Sequence, residues 1–179
     1  MNSIVAHYSR FGNTEEVARE IAGEFQSTGL KVRRAGIGEL PPMEGIDLLV
    51  VGSPTHKMNL PGEVREALGE LPDGILRGIP VAAYDTSYRM NWLLSRFTAS
   101  GRLEKALRRL GGKRVDRETF HVVGREGPLC AGEVERARAW AREILDRLEH
   151  QAVAGAVKSP TGRESLEPPD FGGSGAGRL

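Results

Sequence analysis

The stretch IVAHYSRFGNTEEVAREIAGEF (Ile4–Phe25) decides the fold class of this 179-residue chain. It opens with apolar residues that are typical of a buried strand and then passes through a polar turn, Ser9–Thr14. Beyond the turn, apolar residues recur four positions apart at Val17, Ile21 and Phe25. Spacing of this kind is typical of an amphipathic helix, so the stretch predicts a strand followed closely by a helix.

The same alternation continues almost to the end of the chain. Short segments rich in Val and Ile predict strands at Ser3–Tyr8, Leu30–Ala35, Ile46–Gly52, Ile79–Tyr84 and Thr119–Val123. Apolar residues on one face predict helices at Thr14–Phe25, Gly62–Leu71, Leu103–Leu110 and Val134–Leu148. Strands that are joined through helices by short connections imply a parallel sheet with helices on both faces. We therefore predict an α/β fold, a doubly wound five-stranded parallel sheet in the order 2-1-3-4-5, with the more polar second strand at an edge.

Composition places the chain among ordinary globular proteins. Apolar residues make up 39 % and charged residues 27 % of the sequence, and no apolar run is long enough to cross a bilayer. The single cysteine, Cys130, cannot form an intrachain disulfide, and no Cys/His cluster has metal-ligand spacing. These features predict a cytoplasmic protein with no membrane insertion and no structural zinc.

The composition changes near residue 150. The last 29 residues contain six glycines and three prolines. Such a segment cannot bury enough apolar surface to offset the entropy lost when a chain becomes ordered. We predict one domain over residues 1–150 and a flexible Gly/Pro-rich tail over residues 151–179. Acidic and basic residues balance in this tail, so it does not predict a nucleic-acid-binding arm.

Positive charge is concentrated in one stretch. Between Arg89 and Arg117 nine basic residues stand against two acidic ones, whereas the whole chain has a formal net charge of +1. The stretch is either the solvated face of a helix or a docking surface for an anionic partner or substrate.

The turn Ser9–Thr14 is a candidate anion site. It follows the first strand and opens the first helix, beside the predicted reversal of strand order where a crevice forms. The N–H groups at a helix N-terminus attract an anion, Gly12 allows close backbone approach, and Arg10 could add a countercharge. Alternatively, Asn13 or Thr14 simply caps the helix and Gly12 eases a turn. The residues of the turn alone leave both interpretations open.

Three segments of the sequence stand out as motifs: YSRFGNTEEVA, VVGSPTHKMNLPGEV and AAYDTSYRMNW. They resemble the flavodoxin family, which binds FMN. The first is similar to the phosphate-binding loop of that family, the second to the loop beside the ribityl chain and the ring, and the third to the loop on the other side of the ring. The resemblance covers roughly Met1–Leu148. It implies a flavodoxin-like fold with FMN as cofactor, and it implies that VGREGPL (123–129) closes the far rim of the pocket.

The resemblance also implies which residues bind FMN. Those of the phosphate loop are Ser9, Arg10, Phe11, Gly12, Asn13 and Thr14. Those of the second loop are Ser53, Pro54, Thr55, His56 and Lys57. Those of the third loop are Asp85, Thr86, Ser87 and Tyr88.

Two functions are compatible with such a site. The first is an electron carrier that shuttles electrons between redox partner proteins, with acidic partners docking on Arg89–Arg117. The alternative is an FMN-dependent oxidoreductase of the NAD(P)H:quinone type, although no G-x-G-x-x-G nucleotide fingerprint supports it. A phosphorylatable receiver domain is excluded, because Gly52-Ser53 stands where its acceptor aspartate would lie.

Overall fold

Five parallel strands form one sheet in the order β2-β1-β3-β4-β5, which confirms the predicted topology. A computed structural model of the chain describes residues 1–56, 59–88 and 98–157, with side chains up to residue 153. The strands are β1 (Asn2–His7), β2 (Lys31–Gly36), β3 (Leu48–Pro54), β4 (Pro80–Tyr88) and β5 (Lys113–Val122). The helices are α1 (Asn13–Ser27), α2 (Gly62–Gly69), α3 (Ala99–Arg109) and α4 (Glu133–Val157), and a short 3₁₀ turn spans Ile37–Glu39.

Two apolar cores lie on opposite faces of the sheet. Because successive side chains of a strand point to opposite faces, Ile4 packs into the core beneath α2 and α3, whereas Val5 packs into the core beneath α1 and α4. The central strands β1 and β3 are buried on both faces, as their continuous apolar runs predict. Strand β2, with Arg33 and Arg34 exposed, lies at one edge of the sheet as expected.

Several elements extend beyond their predicted bounds. Strand β4 continues past Tyr84 to Tyr88, because it pairs with β3 up to Thr86 and with β5 up to Tyr88. Strand β5 begins at Lys113 rather than Thr119 for the same reason. Helix α4 continues to Val157, past residue 150, since the segment that follows is rich in alanine, which favours helix.

The helices were also compared with the length and hydropathy that a membrane-spanning helix needs. None of those within residues 1–56, 59–88 and 98–157 is long and apolar enough to cross a bilayer.

Candidate cofactor site

A cavity of about 410 Å³ opens where the strands end, within the size range of small-molecule pockets. Four chain segments build it: the β1–α1 connection, the end of β3 with the residues that follow, the end of β4, and the end of β5 with its loop to α4. The lining residues are Ser9, Arg10, Phe11, Asn13, Thr14, Pro54, Thr55, His56, Thr86, Ser87, Tyr88, Val122 and Arg125. The three sequence motifs therefore converge on one concave site.

Eleven of the fifteen residues predicted to bind the cofactor line this cavity. Among the others, Gly12 lies in the phosphate loop without lining the cavity, and Ser53 is fully buried in β3 with its hydroxyl donating to the Pro54 carbonyl at 3.1 Å. Asp85 is also fully buried and does not line the cavity. Lys57 lies outside the described residues.

The turn Ser9–Thr14 leads into the N-terminus of α1. Gly12 is the N-cap residue with φ +86°, a left-handed conformation that glycine adopts readily, and no side chain caps the helix. The alternative that Asn13 or Thr14 caps α1 is therefore wrong. The Ser9 hydroxyl is buried without a hydrogen-bond partner among the described residues. A buried hydroxyl beside a helix N-terminus fits a phosphate group, which would supply the missing acceptor.

Buried hydrogen bonds hold the first turn of α1 on the sheet. The Tyr84 hydroxyl donates to the Thr14 carbonyl at 2.9 Å, and the Thr14 and Thr86 hydroxyls lie 2.8 Å apart. Burial raises the pKa of Tyr84 well above its usual value, so this phenol remains a donor. To reach α1 from β4, the Tyr84 ring passes over Gly52 of the intervening strand β3, where a Cβ atom would fall 1.9 Å from the ring.

A second buried network positions the loop after β3. The Thr55 hydroxyl donates to Asp85 Oδ2 at 2.5 Å and accepts from the Ala99 N–H at 2.8 Å, at the start of α3. Asp85 Oδ1 accepts from the Thr119 hydroxyl at 2.7 Å. Burial raises the pKa of the Asp85 carboxyl, although the hydrogen bonds from Thr55, Thr119 and Ser100 oppose the rise. Asp85 was predicted to flank the ring from a loop. It instead lies in strand β4 and is hydrogen-bonded to Thr55, which lines the cavity.

Two arginines, Arg10 and Arg125, line the cavity, and no carboxylate does so among the described residues. The nearest acidic partner of Arg10 is Glu63, with 3.8 Å between Nη2 and Oε1 and both side chains about half exposed. Glu63 also accepts a 2.6 Å hydrogen bond from the Tyr8 hydroxyl, which lowers the pKa of Glu63. Such a charge distribution favours an anionic ligand.

A family model for flavodoxin matches residues 5–140, three quarters of the chain. The chain belongs to the flavodoxin family. Membership of that family implies a flavin cofactor, typically FMN, and electron transfer to redox partners. No curated protein sequence matches the chain significantly.

Solved structures show the same flavodoxin fold. A flavodoxin from the domain Archaea is 16 % identical over 84 % of this chain and 100 % of that one, with a TM-score of 0.64. Oxidised Flavodoxin 1 from Bacillus cereus is 20 % identical over 82 % of this chain and 98 % of that one, also with a TM-score of 0.64. Rubredoxin oxygen:oxidoreductase from Desulfovibrio gigas is 17 % identical over 84 % of this chain but only 37 % of that one, with a TM-score of 0.62.

Two residues that line the cavity, Val122 and Arg125, escaped individual prediction. Sequence reasoning assigned the segment VGREGPL (123–129) to the rim without assigning a role to any residue in it. The available signal was the arginine in the glycine-containing loop at the end of the fifth strand. Its contribution depends on how the loop folds over the cavity.

Proposed function

We propose that the chain binds FMN in this cavity and carries electrons between redox partner proteins. The observation that carries the proposal is the unpartnered, buried Ser9 hydroxyl beside the uncapped N-terminus of α1. An unpaired buried hydroxyl is unfavourable unless a ligand satisfies it, and a phosphate oxygen would do so. The family assignment supports the same ligand.

We assign the two ends of the cavity to the two ends of FMN. Residues Ser9–Thr14 would hold the phosphate, while Thr55, His56 and Tyr88 would border the flavin ring. When bound, FMN would supply the redox chemistry, which belongs to the cofactor and not to side chains. Tyr88 is 42 % exposed and lines the cavity, so its ring is available both to the flavin and to an approaching partner.

Docking of acidic partners would use the basic stretch. Its exposed cations within the described residues are Arg102, Lys105, Arg108, Arg109, Lys113, Arg114 and Arg117. Glu104 pairs with three of these arginines at 3.3–4.0 Å, which weakens the positive field locally. Lys113 lies nine residues before Val122 on β5, about 30 Å from the cavity at the usual rise per strand residue. The Lys113 end of the stretch therefore suits long-range steering, which weakens as salt rises, better than contact with the flavin edge.

A flavin titration tests the binding proposal. We expect gently purified protein to be yellow or to bind added FMN, and we expect Ser9→Ala to weaken FMN binding about tenfold, since one hydrogen bond to a charged group is lost. Ser27→Ala is the matched control, because the Ser27 hydroxyl lies at the far end of α1 and bonds the Glu24 carbonyl. Colourless protein that does not bind FMN would contradict the proposal.

A second assay separates the carrier from the quinone-reductase alternative. With FMN bound, we expect NAD(P)H consumption in the presence of a soluble quinone only after a flavodoxin reductase has been added. Direct turnover of NAD(P)H by the purified protein would support the oxidoreductase instead. In the reductase-coupled assay, rising salt should slow electron transfer if the basic stretch steers the partner.

A further inference from the structure

The loop that connects β5 to α4 is fastened onto the phosphate loop. The Asn13 side-chain amide donates to the Glu126 carbonyl at 2.9 Å. The same side chain packs against Gly127, where an added Cβ would fall 2.3 Å from Asn13 Oδ1. Within the loop, the Val123 N–H donates to the Pro128 carbonyl at 2.9 Å, so the loop is folded back on itself. The position of this loop is therefore held both by a hydrogen bond within the loop and by the hydrogen bond from Asn13.

Arg125 is the charged residue that this loop brings to the cavity. It lines the cavity and directly precedes Glu126, whose carbonyl is bonded to the first residue of α1. Arg125 therefore lies close to the helix terminus where the phosphate is expected. No carboxylate of the described residues lies within ion-pair distance of Arg125, whereas Arg10 already has Glu63 nearby.

We infer that Arg125 is a specificity-determining residue that selects the phosphorylated flavin over riboflavin by supplying a countercharge to the phosphate. This inference rests on the proposed FMN function. A phosphate monoester carries a charge of about −1.5 to −2 at neutral pH, and a guanidinium binds it through charge-assisted hydrogen bonds. Riboflavin lacks that group, so Arg125 contributes to the affinity for one flavin and not for the other.

The charge mechanism has a salt signature. Interactions of an exposed cation with a phosphate are screened over about 10 Å at 0.1 M salt, whereas hydrogen bonds from backbone N–H groups and hydroxyls depend less on salt. The affinity of the native chain for FMN should therefore fall as salt rises, and its affinity for riboflavin should not.

The test compares the wild-type chain, Arg125→Gln and Arg125→Lys by flavin fluorescence titration, with FMN and riboflavin at low and high salt. We expect Arg125→Gln to weaken FMN binding about tenfold at low salt, to leave riboflavin binding within twofold, and to flatten the salt dependence. Arg125→Lys should restore part of the salt dependence because it restores the charge. Arg77→Gln is the matched control, since Arg77 is exposed and precedes β4, at the amino ends of the strands and away from the cavity.

The outcomes separate the two levels of the proposal. If wild type binds neither flavin, the proposed function fails and this inference fails with it. If wild type binds FMN but Arg125→Gln binds it with equal affinity and equal salt dependence, only the inference is overturned. An equal loss for FMN and riboflavin would also overturn it, because Arg125 would then shape the cavity rather than recognise the phosphate. Thermal unfolding of each variant checks that the exposed substitution leaves the fold intact.

Discussion

Asp85 and Thr55 share a 2.5 Å hydrogen bond that connects the buried end of β4 to a cavity-lining loop. The carboxylate is fully buried and also accepts from Thr119, while the Thr55 hydroxyl accepts from the N–H of Ala99. One side chain thus joins β4, β5, the loop after β3 and the start of α3. Since the carboxyl group accepts from several donors at once, its charge state matters for stability.

We expect Asp85→Asn to change how stability depends on pH. Burial raises the pKa of Asp85 in the folded chain above the ordinary value of 3.8 that applies when the chain unfolds. Between those two values the folded chain holds a proton that the unfolded chain has lost, so the free energy of unfolding falls as pH rises. Asn cannot titrate, so urea unfolding of wild type and Asp85→Asn between pH 4 and 7 should show wild type losing stability relative to the variant.

Asp73→Asn is the matched control, because it makes the same substitution at an exposed position. Asp85→Ala should destabilise more than Asp85→Asn, by about 1–3 kcal/mol, since buried donors lose their acceptor. A stability difference between wild type and Asp85→Asn that stays constant with pH would contradict the prediction.

Gly52→Ala should destabilise the fold through the Tyr84 ring. The added methyl group would lie 1.9 Å from Tyr84 Cζ, and overpacking of this kind costs about 1–3 kcal/mol or more. Displacing the ring also breaks its hydrogen bond to the Thr14 carbonyl. The free energy of unfolding in urea measures the loss.

The cause of the Gly52→Ala penalty is identified by making the same change in chains that carry different residues at position 84. In a Tyr84→Leu chain, where the ring is absent, Gly52→Ala should cost much less than in wild type. In a Tyr84→Phe chain the ring remains, so the cost should persist. Equal costs in all three backgrounds would show that the glycine is required for another reason.

Gly127→Ala should loosen the β5–α4 loop and weaken FMN binding. The added Cβ would collide with the Asn13 side chain, and Gly127 also has φ +108°. Gly132→Ala is the matched control, because Gly132 has φ +84° but nothing within 4 Å of the added Cβ. Unfolding and FMN titration should both show Gly127→Ala as the more damaging change.

Removal of the Asn13 side chain should suppress that difference. In an Asn13→Ala chain the collision is gone and only the cost of the left-handed backbone remains, so Gly127→Ala and Gly132→Ala should then destabilise by similar amounts. A Gly127→Ala penalty that is unchanged in this background would argue against steric contact as its cause.

Arg136 should stabilise the edge strand β5 more than an ordinary surface arginine does. Its guanidinium donates to both oxygens of the buried Glu133 at 2.7 Å and to the Thr119 carbonyl at 2.6 Å. Arg136→Gln leaves a buried carboxylate without its cation, which we expect to cost about 1–3 kcal/mol, less than a fully buried pair because Arg136 is 41 % exposed.

A double-mutant cycle measures the pair. Glu133→Gln should recover part of the loss caused by Arg136→Gln, because the uncompensated charge is then gone. Arg142→Gln, which breaks the Arg142–Glu24 pair, should cost less than Arg136→Gln and serves as the control, because Arg142 is 56 % exposed and Glu24 is less buried than Glu133. Additive effects of the Glu133 and Arg136 changes would contradict a direct pair.

Local sequence patterns predicted the order and arrangement of the strands and helices. Val17, Ile21 and Phe25 are all fully buried on the inner face of α1, and the continuous apolar runs of β1 and β3 mark them as central strands. The location of the site could be predicted from this arrangement, because residues at the carboxyl ends of parallel strands lie together at one end of a sheet. The proposal of an anion site at Ser9–Thr14 rests on the position of this turn after the first strand, because its residues alone leave both interpretations open.

Other features depend on partners far away in the sequence. Asp85 could not be recognised as a buried acceptor, since its donors Thr55 and Thr119 lie 30 and 34 residues away. Gly52 was predicted only as the last residue of the third strand, yet its missing side chain leaves room for the Tyr84 ring. Arg125 acquires its place from a hydrogen bond that spans 113 residues, between Asn13 and Glu126.

The sequence by itself determined the order of strands and helices, the two faces of each element and the edge at which a ligand site opens. These depend on periodicity and on local turn chemistry, which act between near neighbours along the chain. Only the tertiary structure decided which polar groups are satisfied, which glycines face a ring and which arginine reaches the cavity. Those outcomes depend on which side chains come together when segments that are distant in the sequence pack. A local pattern does not show which distant residues will be in contact.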